Sequence, residues 1–328
     1  MTDGKGGRQA TGDSEPSNHK TFGRIAMTIR NPIEWSGAQL VQAAHVMKSA
    51  GHSLQHIQDT IHSPPLALRK ITTADLREAL VKGFADFEAY RSDVLFVGVI
   101  YALVGLVLAR LAFGMDLLPL LFPLASGFAI VGPFAAIGLY EMSRLRELGV
   151  EVRWTNAFDV FKAPAVGAIS ILGLTLMAVF GLWLAAAWAI YLSTFGPVPI
   201  TSLGQFVHDV FGTPGGREMI VIGIGIGFLF ALFAMAISIV SFPLLLDRDV
   251  GLDTAIRTSI RAVRANLGPM ALWGMIVAGA LVIGALPLFV GLVVVIPVLG
   301  HATWHLYRRV VPHDGEYRRT LPVFDDIH

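Results

Sequence analysis

Apolar residues fall along this chain in two rhythms. From Val94 onward, uncharged runs of about 20 residues, each long enough to cross a hydrocarbon core of about 30 Å, follow one another. They predict spans at about Asp93 to Phe113, Leu118 to Tyr140, Ala165 to Phe195 and Glu218 to Leu246. As one helix at about 1.5 Å per residue, the last block, Leu267 to Arg309, would reach about 65 Å, twice what a bilayer needs. Pro287 interrupts it midway, so two spans are predicted there and six in all.

The second rhythm is amphipathic and precedes each pair of spans. Leu76, Leu80, Phe84 and Phe87 share one spacing with Val150, Trp154, Phe158 and Phe161 and with Leu252, Ile256, Ile260 and Val263. Positions i, i+4, i+8 and i+11 make one helical stripe, written three times. The second span of each pair also carries a proline after a β-branched run: Pro133, Pro243 and Pro297. These patterns predict a tripled unit of interfacial helix plus helical hairpin; ordinary loop helices packed on the bundle would carry the same stripes. Each proline should kink its helix and leave a carbonyl four residues earlier without its partner, at Ala129, Ile239 and Val293. Such carbonyls either serve packing alone or line a polar cavity.

The fold class is therefore all-α integral membrane, with six transmembrane helices as three hairpins, each preceded by a cytoplasmic amphipathic helix. Residues 1–34 are polar and Gly/Ser-rich and read as a disordered cytoplasmic tail. Residues 35–70 read as a short cytoplasmic helical segment, 71–311 as the six-span domain and 312–328 as a cytoplasmic C-terminal tail. His45, His52, His56 and His62 are scattered through the second of these regions, with no carboxylate or cysteine cluster to make them a metal site.

Composition agrees: 54% of residues are hydrophobic and 15% charged, against roughly 25% charged in soluble domains. The chain has no cysteine, which excludes disulfides, thiolate zinc, iron–sulfur clusters and covalent c-type haem. Net charge is only +1, but its distribution is informative. With six spans, 23 of the 25 Lys and Arg fall on one side, and only Arg110 and Arg217 on the other. The positive-inside rule then places both termini in the cytoplasm.

"GPFAAIGLYEMSR" (Gly132 to Arg144), "DRDVGLDTAIRTSIRAV" (Asp247 to Val263), "MALWG" (Met270 to Gly274) and "GHATWHLYRR" (Gly300 to Arg309) resemble a bacterial family of six-span inner-membrane proteins of unknown function. The resemblance runs over about Ile71 to Val311. It implies a multi-pass protein of the bacterial inner membrane and no established activity. Some members carry the label cytochrome c oxidase subunit. The residues oppose a haem-copper centre, which needs about six histidines on several spans; only His301 and His305 lie in or at one.

Those two histidines have two readings. With Trp304, Tyr307, Arg308 and Arg309 they could anchor a helix end at the interface. Alternatively, the prolines act as rulers: His301 and His305 follow Pro297 by four and eight residues, Asp247 follows Pro243 by four, and Glu141 follows Pro133 by eight. Equivalent spans would gather the four groups into a polar cluster at the cytoplasmic mouth of the bundle, where ionisable groups often mark an ion path. "GIGIG" at Gly223 to Gly227 lies in an apolar run and reads as helix packing, since no strand precedes it. No nucleophile, base and orienting acid stand together, which leans against an enzyme without deciding it, and no cofactor, metal or nucleic-acid partner is predicted. The expected partners are the lipid bilayer and other membrane subunits. The sequence favours a non-catalytic scaffold or accessory factor, with respiratory complexes as candidate neighbours, over the alternative of a small transporter or channel.

Overall fold

The computed structural model describes residues 66–89, 118–197, 202–287 and 289–312, with isolated positions between 99 and 110. The N-terminal tail, the histidines between 45 and 62, most of the first expected span and the C-terminal tail lie outside the described residues. Among those described, all regular structure is helical.

The first helix, α1 (Thr73–Ala89), begins where the Thr72 amide and hydroxyl both donate to Asp75, at 2.8 and 2.9 Å, satisfying helix-start groups that would otherwise lack partners. A 3₁₀ turn at Leu118–Leu120 leads into α2 (Leu121–Ala135) and α3 (Ile137–Glu147), which meet at Ala136. A 3₁₀ helix at Trp154–Lys162 precedes the long α4 (Val166–Phe195). Then come α5 (Leu203–Gly212), α6 (Pro214–Ser238), α7 (Ser241–Asp247), α8 (Leu252–Ala265), α9 (Leu267–Ala285) and α10 (Leu292–Val310).

Among the described residues, three stretches are long and apolar enough to cross a membrane: Val166–Phe195, Pro214–Asp247 and Leu267–Ala285. A fourth is available if Leu118–Gly127 and Ala129–Ala135, bent by 40°, count as one span. The block from Leu267 does divide around Pro287 into two helices of 19 residues each. Its second helix, α10, falls short of the apolar requirement for a span because its last turns carry His301, His305, Arg308 and Arg309.

Two of the three prolines expected to kink their helices stand beside a bend or a break in the chain. A proline ring clashes with the carbonyl four residues back. The 40° bend falls between Gly127 and Ala129, next to the carbonyl four before Pro133. Helices α6 and α7 part at Ile239 and Val240, four and three before Pro243, whereas Pro297 stands within α10, in its second turn, without breaking it. At the middle break, the freed Val240 amide donates to the Ser259 hydroxyl on α8 at 3.2 Å.

The amphipathic stretches pack in a cyclic order. The 3₁₀ helix lies on α3, α8 lies on α6 and α7, and α1 lies on α10. The second and third stretches thus dock on the helices that precede them, and the first closes on the last. Small residues permit this. A Cβ at Gly83 of α1 would come within 2.5 Å of the Ala302 amide nitrogen, and one at Gly138 of α3 within 2.9 Å of Ala157 in the 3₁₀ helix. The second stripe departs from the expected α-helix: with three residues per turn, Phe158 and Phe161 share an exposed face while Val160 is buried.

The docking brings four charged segments to one end of the molecule. Ile71 donates its amide to the Asn266 side chain, Arg69 donates to the Val310 carbonyl, and Arg248 reaches the Pro312 carbonyl.

Candidate functional site

At that end, α10 offers His301 and His305 on one face, a helical turn apart, with Ala302 between them. Because Gly83 lets α1 touch the α10 backbone, the residue three positions further along, Asp86, enters the space between the histidines. Its carboxylate is only 4% exposed. Asp86 Oδ2 lies 2.9 Å from His305 Nε2 and accepts the Ser143 hydroxyl at 2.6 Å, while Oδ1 accepts from Arg146 at 2.6 Å. Ser143 Oγ is also 2.7 Å from His301 Nδ1.

The protons can be placed by counting. A hydroxyl has one proton, and the short contact to the carboxylate uses it. His301 therefore donates from Nδ1, and its Nε2 is a bare acceptor. That nitrogen has no partner at normal hydrogen-bond geometry, although His301 is fully buried and the Leu139 backbone lies close enough to its ring for a weak contact. The chain His301, Ser143, Asp86, His305 links this interior atom to an open cavity of about 300 Å³ whose wall includes Asp86, Ser143 and His305. Burial works against ionised Asp86, but the hydrogen bonds from His305 and Ser143 and the nearby imidazoles outweigh it and hold its carboxyl below the usual range.

Three further carboxylates complete the network. Glu147 accepts from Arg308 at 2.9 to 3.1 Å and from the Trp304 indole at 3.0 Å. Asp247 accepts the Tyr307 hydroxyl at 2.6 Å and has Arg308 at 3.5 Å. Glu141 is held in a fork by Arg144, at 2.7 and 2.8 Å, and Arg144 also feels the charge of Asp247.

All four residues expected to cluster lie in or beside this network, but with other partners. The histidines meet Asp86, while Glu141 and Asp247 are bound by arginines and a tyrosine. The proline rulers compared only the spans and passed over the amphipathic helix that docks between them. One signal did mark Asp86 in the sequence: it is an acid bordering an apolar stripe, three residues after a glycine. The aromatic-belt reading of Trp304 and Tyr307 is corrected too, since each is only 1% exposed and bonded to a carboxylate, Glu147 or Asp247.

Ser143 beside His301 has the atoms of a nucleophile and base, yet the acid rests on the serine and not on the far nitrogen of the imidazole. That is the wrong order for hydroxyl activation. Among the described residues, no group of three or more His, Asp or Glu is placed to hold a metal. Gly227 of the glycine-rich run packs on the Trp183 ring, with 3.0 Å left for a Cβ, whereas Gly223 faces open space.

No curated protein and no solved structure is detectably similar to the chain. A family model does match, over residues 121–247. The matched stretch contains Glu141, Ser143, Arg146, Glu147 and Asp247 and leaves Asp86 and both histidines outside it. That stretch is similar to the family described as "Predicted integral membrane protein (DUF2189)", and with the apolar helices the match points to an integral membrane protein.

Proposed function

We propose that the protein is a non-catalytic scaffold or accessory factor of the bacterial inner membrane, with six spans and both termini in the cytoplasm. The observation that carries this reading is the interlocking of the charged end. Asp86, Glu147 and Asp247 each hold an arginine from a different helix, so α1, α3, α7 and α10 are tied together. A network in which every carboxylate is committed fixes a shape. The apolar span Pro214–Asp247, by contrast, is only 11% buried over its most hydrophobic stretch, which leaves its sides open to lipid or to other subunits, respiratory ones included. Purification in mild detergent is expected to recover the protein with a defined set of membrane subunits. Recovery of the chain alone, from native membranes at native abundance, would count against the scaffold.

The topology is supported by the convergence of basic segments at one end of the helices, since α10 returns the chain to the side on which α9 began. Alkaline phosphatase fused after Arg319 is expected to be inactive; high activity there would require an odd number of spans or an inverted protein.

The transporter reading is favoured by one observation, the bare Nε2 of His301 at the inner end of a hydrogen-bonded chain. Proton uptake into proteoliposomes that is lost in Ser143→Ala and kept in Ser143→Thr would replace the scaffold with a proton-linked carrier.

A further inference from the structure

The open cavity beside the histidines carries more positive than negative charge on its wall. Lys82 comes from α1, Arg146 from α3, and Arg308 and Arg309 from α10, against two carboxylates, Asp86 and Glu147. Both carboxylates are already engaged, by Arg146 at 2.6 Å and Arg308 at 2.9 Å, and Arg308 also has Asp247, outside the wall, at 3.5 Å. Lys82 and Arg309 share a single close carboxylate behind the wall, Glu78, whose side chain is 42% exposed and therefore well screened. Asp75 is 3.9 Å from Arg309 but closer, 3.1 Å, to Arg69. Positive charge gathered in a concave wall focuses the field and concentrates anions.

Size and chemistry narrow the anion. A volume of about 300 Å³ is at the lower end of small-molecule sites, and guanidinium forks match the geometry of phosphate oxygens. The two elements bearing Lys82 and Arg146 also expose apolar side chains: Val81 and Phe84 on α1, and Leu148 and Val150 in the chain leaving α3. A phospholipid carries both kinds of group, and basic pockets at the ends of membrane helices take up lipid phosphates. We propose that this cavity binds a phosphate-bearing anion, supplied by the headgroup of an anionic phospholipid. The proposal goes beyond the scaffold reading and does not depend on it.

The full-length protein in lipid-free detergent tests this, with retained lipid read by native mass spectrometry and the unfolding midpoint followed on adding phosphatidylglycerol, phosphatidylcholine or inorganic phosphate. Phosphatidylglycerol is expected to be retained and to raise the midpoint. Lys82→Glu is expected to weaken its apparent affinity about tenfold or more, from about two charge steps near the surface. Lys162→Glu, the same charge change at a lysine 82% exposed on the 3₁₀ helix, is expected to leave it unchanged. If inorganic phosphate stabilises as well as the lipid does, and Lys82→Glu abolishes that effect, the site stands with a soluble phosphate ester as its source. Equal effects of phosphatidylcholine and phosphatidylglycerol, equal losses in the two lysine variants, or no stabilisation by any of the three would overturn it.

Discussion

Asp86→Ala is expected to lower stability by about 3 kcal/mol, the lower end for removing one partner of a buried ion pair. The lower end applies because the Arg146 side chain is 36% exposed and can recover some hydration. His305 and Ser143 cannot do so as readily, since Asp86 Oδ2 is where both of them bond. Asp86→Asn keeps volume and one acceptor and should cost less, about 1 to 3 kcal/mol. Unfolding in detergent checks both; a loss below about 1 kcal/mol in the alanine variant would remove Asp86 from the centre of the fold. Coupling to Arg146→Gln should make the double variant milder than the sum. Acid gives a second readout. The folded carboxyl is held below its ordinary value of 3.8, so its contribution is complete above the unfolded value and is lost as pH falls through the lower, folded one. Wild type should therefore lose stability below about pH 4, and Asp86→Asn should lack that part of the decline.

Gly83→Ala should destabilise by about 1 to 3 kcal/mol, as overpacking does, and Gly83→Leu should undock α1 from α10. The added carbon would sit 2.5 to 2.7 Å from the Ala302 backbone, which cannot swing aside as a side chain can. Gly138→Ala meets Ala157 at 2.9 Å and should cost less. Gly223 supplies the control: nothing lies within 4 Å, so alanine there should be neutral or gain up to about 1 kcal/mol from helix propensity. Equal effects at Gly83 and Gly223 in unfolding experiments would mean that the α1–α10 contact is looser than described.

Features set by short stretches were legible in the sequence. The apolar runs at Ala165 to Phe195 and Glu218 to Leu246 became helices because runs of that length have few other options, and Pro287 and Pro243 broke helices through local sterics. What was not legible depended on partners far along the chain. Nothing near His305 announces Asp86, which lies 219 residues away. Trp304 and Tyr307 have the composition of an interface belt, and only the docking of neighbouring segments reveals that they are enclosed. The second stripe had the right period on paper, yet Trp154–Lys162 winds at three residues per turn and turns that stripe outward.

The closure of α1 on α10 also sets a clock during synthesis. The ribosome completes Asp86 long before His305 exists, and at roughly 5 to 20 residues per second the interval is about 10 to 40 s. Throughout it, α1 has an acid and an apolar flank but no partner, while the membrane helices between them are inserted one after another. A nascent chain that stalls before Gly300 therefore displays an undocked amphipathic helix. Quality-control proteases could read that helix as the mark of an unfinished molecule.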